Sequence, residues 1–507
     1  MDRYLSSKSY RYFFYLFILS IPLQTRKVFT TPHSFCTGSF TEYSSVFIYL
    51  SDILFIASCL SYLLFNRVEA KNTLYKLKSE SGKAQRMVVF ASILLLAFWY
   101  LISSVLNHSP FFEISIFRTF KMLEASALVI FIYLTFRDKR FFITSLFFLI
   151  LAGIFQSFVA IYQFLFQHSL FNSPLLHKLT GETIISPNLP GIAKITTETG
   201  NLARAYGTLP HPNILGGFLL LSLFANLYLY LQYKHRLLSS NNRFDKTTLH
   251  KISLIWIFAF TIQMIALFFS FSRSAWIGCV IFIISFLLIR FIKTSIVSRE
   301  TIQHTRFKYY HELICIIIIV ISFCVLNFQL ISNRLVQDVS ANLSEQDILT
   351  NDTFRDRAFY NIVSRETIHR KPIFGSGPGT SIFQMDRYLQ DNDIDYDLES
   401  WKYQPPHNIY ILSTAETGII GFMILLYIIL MTILISTNEI VSRETKRQRV
   451  DLQNLSVALF LALLFIGSFD HYLVTMQQGL IIFWLTVGIL LSQQDYNVSR
   501  ETKSIGE

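Results

Sequence analysis

Long apolar stretches alternate along the chain with short polar connections. A membrane-spanning helix needs about 20 apolar residues, and twelve stretches come close enough to that length to be predicted as spans. They are residues 11–28, 44–65, 87–105, 117–136, 141–168, 212–233, 252–272, 274–294, 311–331, 408–435, 453–470 and 473–492. The pattern therefore predicts an all-α integral membrane protein with about 12 transmembrane helices.

One long hydrophilic segment, 332–407, interrupts this pattern. It divides the chain into helices one to nine in 1–331, the loop itself, helices ten to twelve in 408–492, and a tail, 493–507. We expect the loop to be catalytic and the helices to hold it against the membrane.

The composition agrees with the membrane class. Hydrophobic residues make up 52% of the chain and charged residues 15%, whereas a soluble chain carries about 25% charged residues. The formal net charge of +11 could indicate nucleic acid binding, but the cytoplasmic loops of membrane proteins are enriched in Lys and Arg. We therefore expect membrane lipids, and no nucleic acid, among the partners.

The distribution of Lys and Arg predicts the orientation. If the N-terminus is cytoplasmic, the cytoplasmic loops and tails hold 28 of the 44 Lys and Arg residues, and the short outer loops 29–43 and 106–116 hold none. This distribution follows the positive-inside rule. It predicts a multi-pass protein of the cell membrane with both termini cytoplasmic and 332–407 on the extracytoplasmic side.

Four predicted helices begin at the extracytoplasmic face with polar sequences. The free N–H groups and partial positive charge of helix N-termini form natural binding sites for phosphate. The residues at these starts are Asn213, Arg273, Asn408 and the pair Asp470 and His471. Asparagine also suits the N-cap position, so capping alone is the alternative for single starts. Four such starts on one face favour a shared site.

Arginines are the candidate phosphate ligands, because a guanidinium group can bind phosphate through two parallel hydrogen bonds. Arg273 stands between two apolar stretches, where a charge is by default a functional hypothesis, although an arginine that reaches the interface is the alternative. Arg355 and Arg357 follow in the long loop. They could instead be solvated or paired with neighbouring aspartates, and the sequence leaves open which of them serves.

His407 is the candidate general base, since histidine titrates near neutral pH and can accept a proton from a hydroxyl. A capping or interface histidine is the alternative. Glu416 lies about 12 Å further along the predicted helix, where a carboxylate needs a cationic partner or a proton. We group it with His407 as catalytic. Gly375 and Gly377 mark a turn that supports this site.

The pentapeptide Val-Ser-Arg-Glu-Thr occurs at 297–301, 363–367, 441–445 and 498–502. The orientation puts the second copy outside the membrane and the others inside, so a shared role in the protein is not expected. The codons GTT TCA CGT GAA ACN encode it, and they are palindromic through the first two bases of the threonine codon. We interpret the copies as a DNA element tolerated in frame and give their arginines no catalytic role.

Taken in order, these motifs resemble the O-antigen ligase and O-antigen polymerase family of polytopic membrane proteins, over about residues 200 to 475. The family often has tryptophan where this chain has Tyr360. The resemblance rests on Gly207-Thr-Leu-Pro-His-Pro-Asn213, Ser272-Arg273-Ser274-Ala-Trp276, Arg357, Pro372-Ile-Phe-Gly375-Ser-Gly377-Pro-Gly379, His407-Asn408-Ile-Tyr410, Glu416-Thr-Gly418-Ile-Ile-Gly421 and Ser468-Phe-Asp470-His471.

The resemblance implies transfer of an oligosaccharide from a polyprenyl pyrophosphate, with no metal or other cofactor. Arginines matching Arg273 and Arg357 would contact the pyrophosphate, and a histidine matching His407 would activate the acceptor hydroxyl. The acceptor could belong to a glycan, a lipid or a protein, which corresponds to a polymerase, a ligase or a protein O-oligosaccharyltransferase. A transporter or a non-catalytic scaffold is the alternative, but polar motifs clustered at one face favour the enzyme.

Overall fold

The computed structural model describes residues 8–68, 84–107, 110–197, 200–239, 246–296, 352–393, 402–437 and 446–492. The predicted ninth span, 311–331, and the tail 493–507 lie outside the described residues. The same holds for the first part of the long loop and for the pentapeptide copies at 297–301, 441–445 and 498–502.

Helices make up most of the described part, and we number them in chain order. They are α1 (Ser9–Ser20), α2 (Leu50–Phe65), α3 (Ala84–Leu106), α4 (Phe112–Thr135), α5 (Lys139–Phe166), α6 (Pro174–Thr180), α7 (Pro212–Ser239), α8 (Lys246–Phe269), α9 (Arg273–Ile296), α10 (Asp352–Arg370), α11 (Phe383–Asp391), α12 (Ile409–Thr437), α13 (Lys446–Gly467), α14 (Tyr472–Thr475) and α15 (Gln477–Ser492).

Within the described ranges, five helices are long and apolar enough to cross a membrane. They lie in α3, α5, α7, α9 and α12. Shorter apolar helices accompany them in α2, α8, α13 and α15. The predicted class of helical membrane protein is confirmed in this form, whereas the number of twelve spans and the orientation stay predictions.

Helix α7 lies at the centre of the bundle. It packs against α5, α8, α9, α13 and α15, and its side chains Phe218, Leu219 and Phe224 are fully buried. Because a close-packed interior resists displacement, a helix held on so many sides has a fixed position. The first turn of α7, which carries Asn213, therefore has a fixed position in the molecule.

Small antiparallel sheets occupy two of the connections, and the sequence did not predict them. β1 (Arg26–Phe29) pairs with β4 (Val46–Tyr49), β2 (Phe35–Cys36) with β3 (Ser39–Phe40), and β5 (Lys194–Thr197) with β6 (Gly200–Ala203). They shorten the first two predicted spans. α1 ends at Ser20, near Pro22, which has no N–H group to continue a helix, and α2 begins only after β4.

Two predicted spans are broken by non-helical residues. α12 is interrupted at Gly418, which has a φ of 69°, and the last predicted span is divided at Met476 into α14 and α15. Both breaks lie beside polar residues, Glu416 and Thr417 at the first and Gln477 and Gln478 at the second, inside otherwise apolar stretches that were predicted as single spans. A Cβ atom on Gly418 would lie 2.0 Å from the carbonyl oxygen of Ile373. Only glycine permits this approach at this φ.

The pentapeptide copy at 363–367 lies inside α10 and not in an irregular loop. Val363, Ser364 and Thr367 are buried, and Val363 packs in a small hydrophobic cluster with Tyr360. One face of this copy therefore forms part of a packed core, and its interpretation as a DNA element tolerated in frame stays a prediction.

Candidate active site

Asp470 occupies the connection between α13 and α14, beyond the last helical residue, Gly467. Its side chain is 4% exposed, and both carboxylate oxygens accept hydrogen bonds. Oδ1 accepts one from the backbone N–H of His471 (2.8 Å), and Oδ2 accepts one from Nδ2 of Asn213 (2.6 Å). The carboxylate is thus held by its own connection and by Asn213 of α7, which lies 257 residues away in the chain.

His407 lies beside this carboxylate. Its Nδ1 is 3.9 Å from Asp470 Oδ1, which is too long for a hydrogen bond, and no other described group makes a hydrogen bond to Nδ1. Burial alone would raise the pKa of the Asp470 carboxyl, but the neighbouring His407, His471 and His211 hold it well below its usual range. Asp470 is therefore an anion at neutral pH and can stabilise a proton on His407.

His471 differs from His407 in its surroundings. It is 3% exposed, and its Nδ1 lies 2.7 Å from the Thr475 hydroxyl, which donates its own proton to the His471 carbonyl (3.1 Å). Burial, with the nearby His407 ring, lowers the pKa of His471 to about 3. His471 therefore stays neutral near pH 7, and its ring packs edge-on against Tyr43. His407 is left as the histidine of this pair that can exchange a proton.

Asn213 takes a different position from the one predicted. α7 begins at Pro212, so Asn213 is the second helical residue and not the N-cap. Its amide joins two partners, because Nδ2 donates to Asp470 and Oδ1 accepts a hydrogen bond from Nη2 of Arg204 (2.7 Å). Asn408, in contrast, is an N-cap as predicted. Its Oδ1 accepts hydrogen bonds from the N–H groups of the two residues after Ile409, at 2.9 and 3.1 Å.

Arg204 is a residue of this network that the sequence analysis missed. It is 5% exposed and also donates from Nε to the carbonyl of Ser270 (2.8 Å). Arg273, three residues after Ser270, is the first residue of α9. The available signal was an arginine just before the Gly207–Asn213 motif.

The long loop reaches the site through α10. The Tyr360 ring centroid is 6.0 Å from that of His407, and its hydroxyl donates to the carbonyl of Lys402 (2.8 Å). Arg357 precedes Tyr360 by three residues, and residues at this spacing share one helix face. Arg357 therefore lies on the face of α10 that contacts His407. The side chain of Arg355 lies outside the described residues.

The glycine turn of the loop docks on the break in α12. Ser376 N–H donates to Ala415 O (2.9 Å), Gly377 N–H to Glu416 O (2.9 Å), and Ile419 N–H to Pro372 O (2.8 Å). Backbone thus pairs with backbone where α12 loses its helical geometry. The two glycine motifs, Gly375–Gly379 and Glu416–Gly421, are complementary parts of one joint.

Gly375 and Glu416 both serve this joint. Gly375 has a φ of 68°, and a Cβ on it would lie 2.4 Å from the carbonyl oxygen of Glu416. The Glu416 carboxylate accepts hydrogen bonds from the backbone N–H groups of Gly379 (2.8 Å) and Ser381 (3.3 Å). These contacts describe a carboxylate that holds the turn in place.

Arg118 of α4 is a second arginine that the sequence analysis left unassigned. Its guanidinium donates to the carbonyl oxygens of Thr475 and Tyr43, and its side chain lies so close to Gly379 that a Cβ there would meet its Cγ at 2.7 Å. Arg118 and Glu416 also line a cavity of about 40 Å³. Arg118 therefore ties the α1–α2 connection, the glycine turn and the α14–α15 break together.

The predicted residues form two groups. One contains Asn213, His407, Asp470 and His471, with Tyr360 of α10 against it; the other is the joint of Gly375, Gly377 and Glu416. His407, Asp470 and His471 also offer three ligand atoms within 4.8 Å of one another. Three such ligands could hold a metal ion, so a metal-bound site is the alternative to a metal-free His–Asp pair.

Comparison with known proteins gives a family match for part of the chain that carries this site. Residues 256–426 match the family model described as O-antigen ligase. This part of the chain is similar to O-antigen ligases. The O-antigen ligase region contains Arg273, Arg357, His407 and Glu416, whereas Asp470 lies outside it and joins the site only through the fold. No match was found among curated proteins.

Proposed function

We propose that the protein is a membrane glycosyltransferase of the O-antigen ligase and polymerase type. It transfers or polymerises an oligosaccharide from a polyprenyl-pyrophosphate donor to an acceptor hydroxyl at the extracytoplasmic face. The observation that carries the proposal is the pairing of His407 with a buried, ionised Asp470 next to the loop helix α10. The match of residues 256–426 to the O-antigen ligase family model supports the same reaction class.

His407 acts as the general base. Because Nδ1 faces Asp470, Nε2 is the nitrogen available to the acceptor. Nε2 takes the hydroxyl proton while the hydroxyl oxygen bonds to the anomeric carbon of the donor sugar. The imidazolium that forms is then stabilised by the Asp470 carboxylate. The gap of 3.9 Å can shorten as this charge develops, as is common for catalytic hydrogen bonds that tighten only with substrate bound.

The bond between the anomeric carbon and the phosphate oxygen breaks as the new bond forms. The electron pair leaves with the polyprenyl pyrophosphate, whose negative charge needs cations. We assign this role to Arg273 at the start of α9 and to Arg357 on α10. Arg357 is preferred over Arg355 because it shares a helix face with Tyr360, which packs against His407. No metal is required in this scheme.

Glu416 is assigned a supporting part of the machinery. Its carboxylate holds Gly379 and Ser381 by their N–H groups, so it positions the glycine turn instead of exchanging a proton with substrate. The choice of acceptor is assigned to the segments 169–211 and 380–404, which flank the site. A protein acceptor would make the enzyme an O-oligosaccharyltransferase with the same chemistry.

Complementation tests the proposal. Wild type, His407→Ala and Arg273→Ala are expressed in a host that lacks O-antigen polymerase and in one that lacks O-antigen ligase, with membrane levels matched by immunoblot. We expect wild type to restore the glycan profile of one host, and both variants to fail there, since a general base contributes about 10²–10⁴-fold.

Other outcomes would overturn parts of the proposal. Unchanged glycan profiles with wild type in both hosts, and no glycan on proteins, would argue against glycosyl transfer. Full activity of both variants would remove His407 and Arg273 from the reaction. A scaffold would tolerate His407→Ala, and a transporter would move the lipid-linked glycan without changing its covalent state.

A further inference from the structure

We infer that Arg204 is a positioning residue that couples the start of α9, where Arg273 lies, to the catalytic pair His407 and Asp470. This inference rests on the proposed function and extends it to a residue that would not touch the substrate. Arg204 is 5% exposed, so its guanidinium has almost no surface to offer a donor or an acceptor.

The first link runs towards the general base. Arg204 Nη2 donates to Asn213 Oδ1 (2.7 Å), and Asn213 Nδ2 donates to Asp470 Oδ2 (2.6 Å). An amide side chain that accepts with its oxygen and donates with its nitrogen has a single orientation here. Arg204 therefore fixes the Asn213 amide, and the amide fixes the carboxylate so that Oδ1 faces His407.

The second link runs towards Arg273. Arg204 Nε donates to the carbonyl of Ser270 (2.8 Å), just before Phe271, which has a φ of 46°. An aromatic residue in this left-handed region is strained and needs surrounding contacts to hold it. Ala205 N–H adds a hydrogen bond to Phe269 O (3.0 Å) on the same turn. Arg204 thus helps to hold the turn from which α9 and Arg273 emerge.

One buried guanidinium therefore connects the group that would accept the proton with the group that would bind the leaving pyrophosphate. The two groups must act on atoms of the same donor, so their separation matters. A misplacement of about 1 Å can lower a rate about 100-fold. Loss of Arg204 should consequently lower kcat while leaving binding of the donor largely unchanged.

The test uses the full-length protein in proteoliposomes with a lipid-linked oligosaccharide as donor. We expect Arg204→Gln to lower kcat about 100-fold and to change the donor KM less than about threefold, because only ground-state binding would raise KM alone. Asn213→Ala should reproduce this loss, since it breaks the same link without touching Ser270. The double variant should be no slower than the slower single variant, as expected for residues that act as a unit.

Arg11→Gln is the matched control. Arg11 also donates from Nε and Nη2, to Tyr10 and Asp138, but it lies at the other end of the bundle. Its kcat should stay within about twofold of wild type if loss of an arginine with two such hydrogen bonds does not by itself lower activity. If Arg204→Gln does not fold, the same measurements are made on Arg204→Lys, which keeps the charge.

Each remaining outcome contradicts the inference. Multiplicative losses in the double variant would show that Arg204 and Asn213 act independently. A higher donor KM at unchanged kcat would make Arg204 a binding residue. Wild-type rates in Asn213→Ala or in a folded Arg204 variant would show that the hydrogen bonds through Arg204 and Asn213 do not contribute to catalysis. If wild type itself transfers no glycan, the proposed function fails, which is a separate result.

Discussion

His407 and His471 show how two identical side chains acquire different roles from their surroundings. Their ring centroids are 4.9 Å apart. His471 is almost fully buried and engaged with Thr475, whereas the His407 side chain is 21% exposed and faces the Asp470 carboxylate. A proton carrier needs both access and a stabilising anion, and only His407 of the two combines them.

The neutral state of His471 predicts a pH dependence of stability. In the unfolded chain this histidine takes up a proton below about pH 6.5, but in the folded protein only near pH 3. The unfolded state therefore binds more protons between these values, and stability falls as the pH falls. Between pH 6.5 and 4.5 the loss amounts to about 2 kcal/mol.

Melting temperatures of detergent-solubilised protein over this pH range provide the measurement. His471→Gln should show a smaller decrease than wild type, because it lacks the group that titrates. His369→Gln, at an exposed position on α10, should keep the full wild-type decrease. Parallel curves for wild type and His471→Gln would contradict the prediction.

Substitution of Glu416 distinguishes a carboxylate that positions the glycine turn from one that transfers a proton. Glu416→Gln keeps an oxygen that can accept the N–H of Gly379, so we expect kcat within about tenfold of wild type. Glu416→Leu removes both acceptors and should lose far more activity and thermal stability. A loss of about 10³-fold or more in Glu416→Gln, with an unchanged melting temperature, would instead indicate an acid or base.

Among the elements, α12 is joined by backbone hydrogen bonds to the segment that directly follows α10. Three backbone hydrogen bonds cross between 372–377 and 415–419, and the approach depends on glycines at both sides. The loop helix that carries Arg357 is thereby positioned by the same helix that begins beside His407. The break in α12 has a function in this joint, because a continuous helix would leave none of these backbone groups free.

Substitution of Gly418 tests the joint. Gly418→Ala would place its Cβ 2.0 Å from the Ile373 carbonyl oxygen, and Gly191, which has a φ of 75° but nothing within 4 Å, is the matched control. Gly191→Ala should lower stability by about 1 kcal/mol, from backbone strain alone. Gly418→Ala should lower it clearly more and reduce transfer as well, as measured by melting temperature and by glycan transfer. Equal effects of the two substitutions would show that the joint is unimportant.

The elements could be predicted only in part. Apolar length located the long helices of the described part but not the ends of the first two or the breaks at Gly418 and Met476, and the N-cap at Asn408 followed from local chemistry. The short strands before α2 were hidden because their apolar residues continued the hydrophobic run. The bonds of Asn213 to Asp470 and of Arg204 to Asn213 depend on how distant helices pack, and a single sequence does not specify that contact. The sequence shows that a polar residue lies beside a helix start, but it does not show which distant residue that side chain contacts.

At the scale of the whole molecule, the site is assembled from segments that span most of the chain. The α1–α2 connection supplies Tyr43, α7 supplies Asn213, the long loop supplies Tyr360, and the α13–α14 connection supplies Asp470. The O-antigen ligase region covers only part of this assembly. A fragment limited to 256–426 would therefore lack the anion that faces His407.

Metal removal tests the chemistry of the assembled protein. We expect transfer by the reconstituted enzyme to stay within about twofold after exhaustive chelation, because arginines and a His–Asp pair supply the charge and the base that a metal would otherwise provide. Addition of Zn²⁺ or Mg²⁺ after chelation should not increase the rate. A loss that one divalent ion restores would instead favour the three-ligand arrangement of His407, Asp470 and His471.

The joint between the glycine turn and α12 also separates parts of the loop that can vary from parts that cannot. Residues 372–379 are committed to backbone pairing, so insertions there would displace Arg357 from the reacting atoms. The segment proposed to choose the acceptor, 380–404, continues beyond this turn and beyond α11. Exchanging its part after α11 between related chains should therefore alter which sugars are accepted while the proposed reaction is preserved, which makes it the place to begin when redirecting transfer to new glycans.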